Sequence, residues 1–168
     1  MSDVQAIVAL IGAPASGKSK IGRRVAALLQ SELIDSDKVV VAEHGPIADI
    51  FDLHGEATFR GYERVAVSEA LRKRAVVSLG GGAVLDAETQ SDLADVPVVL
   101  LTVSDEAVAE RISDPKRPLL RGGLESWKEL VAQRQPLYER LADVTFDTSD
   151  GDLDRIAQDI VSWLEQNS

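Results

Sequence analysis

Residues 12–19 read Gly12-Ala13-Pro14-Ala15-Ser16-Gly17-Lys18-Ser19, which is Gly, any four residues, then Gly-Lys-Ser. No other stretch constrains the fold as tightly, because this pattern demands a strand before it and a helix after it. Both are present. Ala6-Ile7-Val8-Ala9-Leu10-Ile11 is short, apolar and β-rich, and Ile21, Val25, Leu28 and Leu29 then share one face of a helix. Glycines at both ends let the backbone turn tightly, so successive N–H groups converge and the helix N-terminus adds its partial positive charge. Gly12 to Ser19 therefore form a cradle for the phosphates of a nucleoside triphosphate such as ATP. Lys18 is expected to reach the outer phosphates and the Ser19 hydroxyl to ligate Mg²⁺.

The rest of the chain extends this βαβ opening. Further strand candidates are Leu33-Ile34, Val76-Val77-Ser78-Leu79, Val98-Val99-Leu100-Leu101 and Val144-Thr145-Phe146. Continuous apolar runs of this kind suit parallel strands covered by helices on both faces. A closing helix carries Leu153, Ile156, Ile160, Val161 and Leu164 on one stripe, with Ser149 and Asp152 spaced as a capping box. Between about Ser113 and Glu125 two prolines and paired glycines lie in a basic cluster, which reads as a mobile loop.

With 168 residues the chain has room for one ordinary core, so a single domain over 1–168 is expected. Eighteen basic against twenty-eight acidic side chains give a net charge of -10, which disfavours nucleic acid and anionic membrane as partners. There is no cysteine, so neither disulfides nor thiolate metal sites contribute. The N-terminal apolar run has no preceding Lys or Arg, unlike a signal peptide, and no run approaches the roughly 20 residues of a membrane span. These features point to a soluble cytoplasmic protein, with a monomer as the default. His44 and His54 are not spaced like a zinc site and read as surface or loop residues, while Trp127 and Trp163 read as partial core.

The phosphate loop alone does not separate a switch, a motor and a metabolite kinase. A chain this short has little room for switch segments and holds no Asn-Lys-x-Asp element, which favours a small kinase. Asp35-Ser36-Asp37 directly follows the second strand candidate, at the edge where open α/β sheets bind ligands. One carboxylate could serve a metal and the other an acceptor, or both could simply cap the next helix.

Further motifs follow in order: Ile47-Ala48-Asp49-Ile50-Phe51, Gly55-Glu56, Phe59-Arg60 with Glu63, Ser78-Leu79-Gly80-Gly81-Gly82-Ala83-Val84, Arg117-Pro118-Leu119-Leu120 and Arg134-Gln135-Pro136-Leu137-Tyr138. With these the chain closely resembles the shikimate kinase family from near Ala6 to its end. The resemblance implies a three-layer α/β P-loop kinase fold like that of nucleoside monophosphate kinases, with a five-stranded parallel sheet in the order 2-3-1-4-5. It implies transfer of the ATP γ-phosphoryl group to the 3-hydroxyl of shikimate, a step in aromatic amino-acid biosynthesis. An acceptor-binding segment would span about 35–63 and a lid about 113–125.

By the same resemblance, Arg60 and Arg134 would hold the shikimate carboxylate, the Gly80-Gly81-Gly82 backbone would pack against the substrate, and Asp37 would bind its hydroxyls and take up a proton. Asp35 would orient Mg²⁺ through water, Arg117 would close over the phosphates with Lys18, and Arg111 would lie near the adenine. Paired guanidinium donors suit a planar carboxylate in a way that Lys cannot reproduce. Lys20 departs from the family, which usually has Thr there. A related kinase for gluconate or another small polyol acid, and a catalytically silent nucleotide-binding module, are the competing readings.

Overall fold

The computed structural model describes residues 4–112 and 123–167. β1 (Val8–Ile11) leads into α1 (Lys18–Leu28), and β2 (Leu33–Asp35) into α2 (Ser36–His44), α3 (Ile47–His54) and α4 (Glu56–Leu71). β3 (Val76–Ser78) is followed by a 3₁₀ turn at Ala83–Leu85 and by α5 (Ala87–Leu93). β4 (Val98–Thr102), α6 (Asp105–Ile112), α7 (Gly123–Leu141), β5 (Val144–Asp147) and α8 (Leu153–Gln166) complete the described chain.

Every strand candidate forms, and together they make one parallel sheet in the order β2-β3-β1-β4-β5. The register sets Val8 opposite Val76 and Ala9 opposite Val98, so the apolar residues of the three inner strands lie side by side. Successive side chains alternate across a strand, which assigns each to one layer. Val8 and Leu10 point to α1 and α8, where they meet Ile21, Val25, Ile156 and Ile160. Ala9 and Ile11 point the other way, to Val67 and Leu71 of α4, Leu93 of α5 and Tyr138 of α7. Full burial of each aliphatic side chain stabilises by about 1.5–3 kcal/mol, so β1 and the helices on both its faces anchor the loop that follows it.

A smaller cluster of Val40, Ile50, Phe59 and Ala66 packs α2, α3 and α4 together. The segment expected to bind the acceptor, 35–63, contributes most of this separate apolar patch.

Three expectations need correction. Leu28 is 44% exposed, because it lies in the last turn of α1 and Leu29 takes the inward place against the sheet. The cap of α8 is Asp152, whose carboxylate accepts from the Arg155 N–H at 3.2 Å, with no part played by Ser149. Ser149 is occupied elsewhere, donating to Asp147 at 2.5 Å and accepting from the Ser104 N–H at 2.7 Å. The expected mobile loop ends before Glu125, since α7 begins at Gly123, where φ of 65° turns the chain and Leu124 packs beside Trp127. The rest of that loop, with Arg117, lies outside the described residues. His44 and His54 are exposed, in keeping with the surface reading, and sit in the last turns of α2 and α3, where a basic group suits the helix dipole, while His44 also stacks on Tyr62 at 3.5 Å. Among the described residues no helix is long and apolar enough to cross a membrane.

Candidate active site

The phosphate loop runs from the C-terminal end of β1 to the first turn of α1. Gly12 has φ of 147°, and a Cβ there would collide with the Leu101 carbonyl oxygen, so only glycine fits. Gly17 at φ 89° turns the chain into the helix. Between them Ala15 stands at φ 70°, a left-handed conformation unusual for a residue with a side chain. The Lys18 ammonium folds back on the loop, donating to the Gly12 carbonyl at 2.8 Å and the Ala13 carbonyl at 3.0 Å. Burial draws its pKa down to about 8, against the pull of Asp37 and Asp35.

Three neighbouring elements reach this loop. The Trp127 indole N–H of α7 donates to the Pro14 carbonyl at 2.8 Å, Arg111 of α6 donates to the Ala15 carbonyl, and the Thr148 hydroxyl after β5 donates to the Ser16 carbonyl at 2.8 Å. Arg111 also bonds the Thr148 carbonyl at 2.8 Å, and partial burial lowers its pKa against the opposing charge of Asp147.

The Ser19 hydroxyl donates to Asp35 at 2.5 Å, while the other Asp35 oxygen caps α2 by accepting from the N–H groups of Asp37 and Lys38 at 3.0 and 3.4 Å. Asp35 thus caps a helix and faces the phosphate loop at once. Asp37 does not cap. Its carboxylate points at Gly80, where a Cβ would stand 2.5 Å from Oδ1. Burial raises the Asp37 pKa, with Asp35 adding to the rise and Lys18 and Arg60 opposing it.

The Gly80-Gly81-Gly82 turn follows β3 and is approached from several sides. The Gly80 N–H donates to the buried Ser36 hydroxyl at 2.9 Å, and the Gly81 carbonyl accepts from the Tyr138 hydroxyl at 2.6 Å. A Cβ on Gly81 would lie 3.4 Å from Arg134 Nη1, and one on Gly82 would lie 2.5 Å from Arg60 Nη1. Side chains at these three positions would fill the space the guanidinium and carboxylate groups occupy. Arg60 is held by Glu63 at 2.7 Å and lies over the Phe59 ring, with the guanidinium carbon 5.3 Å from its centroid. Glu63 is buried, which raises its pKa against the hydrogen bond and charge of Arg60. Arg134 hydrogen-bonds the Tyr138 phenol, whose pKa burial pushes up.

A cleft of about 350 Å³ opens between the two halves, lined by Pro14, Lys18, Ser19, Asp35, Asp37 and Gly81 among others. A larger cavity of about 1010 Å³ lies at the opposite end of the strands, beside Ala6, Pro97 and Asp143. Open α/β sheets bind ligands beyond the carboxyl ends of their strands, so the smaller cleft is the chemically equipped one.

The structure therefore gathers Gly12 to Ser19, Asp35, Asp37, Arg60, Gly80 to Gly82 and Arg134 at one sheet edge, and it sets Arg111 against the loop backbone. Sequence reasoning assigned no part in the site to Ser36, Glu63, Trp127, Tyr138 or Thr148. The spacing of Glu63 three residues after Arg60, and of Tyr138 four after Arg134, is the i,i+3 and i,i+4 signal that could have flagged those two. Trp127 and Thr148 act across more than a hundred residues and leave no local trace.

The family model for shikimate kinase matches residues 14–165. The chain is 40% identical over 162 residues to a shikimate kinase of Thermobifida fusca, covering 94% of each chain. It is 42% identical over 166 residues to one of Francisella tularensis subsp. holarctica, covering 95% of this chain and 94% of the other. Among solved structures it is similar to a shikimate kinase from Acinetobacter baumannii in complex with shikimate, with a TM-score of 0.89 and 32% identity over 98% of this chain and 95% of that one.

Proposed function

The chain belongs to the shikimate kinase family, and from that premise we infer that it transfers the γ-phosphoryl group of ATP to the 3-hydroxyl of shikimate. The products are shikimate 3-phosphate and ADP, in the route to aromatic amino acids. The observation that carries this reading is the pairing of a phosphate loop with a second half-site, Asp37, Arg60, Glu63 and Arg134 around Gly80 to Gly82, at one sheet edge.

The acceptor carboxylate is assigned to Arg60 and Arg134. Supporting this, both guanidinium groups stand beside a glycine backbone that leaves room for a ring, and buried Glu63 fixes the orientation of Arg60 while Tyr138 fixes that of Arg134. Planar forks held in this way offer paired donors to a carboxylate. Asp37 is assigned to the acceptor hydroxyls. Its burial raises its proton affinity, which suits a group that takes the 3-hydroxyl proton as the new O–P bond forms and the bond to the ADP oxygen breaks. Lys18 leaves its loop carbonyls for the outer phosphates, and the loop N–H groups hold the remaining oxygens. Arg117 is assigned to the same charge, and Arg111, fixed in its plane by two carbonyls, offers its face to the adenine.

Ser19 and Asp35 are hard oxygen donors in contact at 2.5 Å beside the loop, a donor set that fits Mg²⁺, with Ser19 as direct ligand and Asp35 acting through water. Mg²⁺, when bound, supplies neutralisation of phosphate charge. The enzyme is taken to be a cytoplasmic monomer of one domain over 1–168, which sedimentation would check.

An ADP-release assay with shikimate as the only acceptor tests the reading. Shikimate-dependent turnover is expected. Turnover on gluconate with none on shikimate would replace it by the polyol-acid kinase, and ATP binding without turnover on either would leave a silent nucleotide-binding module.

A further inference from the structure

Three consecutive carbonyls of the phosphate loop, those of Pro14, Ala15 and Ser16, are each held by a side chain from a different element: Trp127, Arg111 and Thr148. A peptide unit is rigid, so fixing its carbonyl fixes the direction of the N–H on the next residue. Holding these carbonyls therefore sets the N–H groups of Ala15 and Gly17, which a phosphate cradle needs aimed together, while the Ser16 N–H turns back to the Ala13 carbonyl at 3.2 Å.

Ala15 shows why such holding is needed. Its φ of 70° lies in the left-handed region, which disfavours an L residue by roughly five- to thirtyfold in population. Left to itself, this residue would relax to negative φ and turn the neighbouring amides away. The bonds at Pro14 and Ala15 bracket the strained residue, and that at Ser16 secures the next peptide. Each comes from a well-fixed group. Trp127 is 2% exposed and packed with Ala13 and Val108, and Thr148 is fully buried, with its hydroxyl also 3.0 Å from the Thr102 carbonyl.

We propose that Trp127, Arg111 and Thr148 are positioning residues for the nucleotide, acting as a clamp that keeps the phosphate loop in a conformation Ala15 would otherwise leave. The inference rests on the reading of Gly12 to Ser19 as the ATP site. It differs from a merely structural role in one respect: the clamp matters because residue 15 has a side chain, so its loss should be curable at that residue.

The test uses Trp127→Phe, which keeps the ring and removes the N–H, alone and combined with Ala15→Gly, since glycine enters positive φ as readily as negative. Dissociation constants for MgADP and for shikimate are measured by calorimetry. Loss of one hydrogen bond is expected to weaken MgADP binding roughly three- to tenfold, with shikimate binding within about twofold of the parent. In the Ala15→Gly background the same Trp127 substitution should change MgADP binding by less than about twofold, a non-additivity that marks coupling. Thr148→Val, of similar shape, should give the same split between the two ligands and serves if the Trp127 variant does not fold. Unchanged MgADP affinity, equal losses for both ligands, or an undiminished effect in the glycine background would overturn the clamp. A parent that binds MgADP but fails to phosphorylate shikimate would overturn the proposed reaction and leave the clamp standing.

Discussion

Lys18 and Asp37 carry charges that their surroundings oppose. Burial brings Lys18 from its ordinary 10.5 to about 8, so the free enzyme holds the ammonium form at neutral pH but loses it early on the alkaline side. Because kcat/KM reports the free enzyme, its value for ATP is expected to fall as pH passes about 8, whereas kcat, with phosphate charge beside the ammonium, should fall at higher pH. A kcat/KM for ATP that stays level to pH 9.5 would remove Lys18 from this role. The linkage has a definite sign. Between about 8 and 10.5 the unfolded chain binds the proton that the folded chain lacks, so Lys18 adds stability as pH rises through that window and is a cost below it. Asp37 runs the other way. Its folded pKa lies above the unfolded value, so stability falls as pH rises through the interval between them and the cost persists at neutral pH. Asp37→Asn should therefore raise the melting temperature at pH 7 while abolishing turnover, and a lowered melting temperature would contradict the opposed charge.

At the scale of elements, the turn after β3 joins the two half-sites, and its glycines are spaced for the side chains of α2, α4 and α7. A methyl group on Gly82 would first meet the movable end of Arg60, so Gly82→Ala should fold normally and displace the guanidinium. The expected result is a KM for shikimate raised at least tenfold with KM for ATP little changed, roughly the 1.5–3 kcal/mol of a charged hydrogen bond. A parallel rise in both constants would place the damage in the fold. The strands were legible because β1 and β4 are buried on both faces and so read as apolar runs, and because the loop motif admits only a strand before it and a helix after it, whereas the strand order was legible only through family resemblance. Arg60, Arg134 and Gly80 to Gly82 were legible only through family resemblance, since an arginine in a helix and a glycine turn have no distinctive local pattern. Residues joined over long separations, such as Trp127 with Pro14, were not legible at all, because periodicity reports which face of an element is buried and never which carbonyl waits on the other side. Ser149 misled for a related reason. The capping pattern was locally sound, but hydrogen bonds to Ser104 and Asp147 claimed its hydroxyl.

On the scale of the whole molecule, a chain with a net charge of -10 is proposed to draw in two anionic substrates with Lys18, Arg60 and Arg134, which it concentrates at a single sheet edge. The groups that do so stand on a common core. The phosphate loop springs from β1, Arg60 from α4 and Arg134 from α7, and β1, Val67 and Leu71 of α4 and Tyr138 of α7 all meet in the same apolar layer. Ligand binding at either half should therefore stabilise the whole chain and not a loop alone. At a free concentration of one hundred times Kd, a ligand adds about 2.7 kcal/mol to unfolding. For a protein of this size that corresponds to a rise of roughly 5 to 11 °C in the melting temperature. MgADP and shikimate, added separately, are each expected to move one and the same calorimetric transition by this amount. Arg134→Ala should weaken shikimate binding by about 2–5 kcal/mol, enough to cut its shift at the same concentration to about a third or less, while the MgADP shift survives. Two transitions, only one of which follows the ligand, would mean that the halves unfold separately. Loss of both shifts in the Arg134 variant would mean that Arg134 supports the fold and not the acceptor.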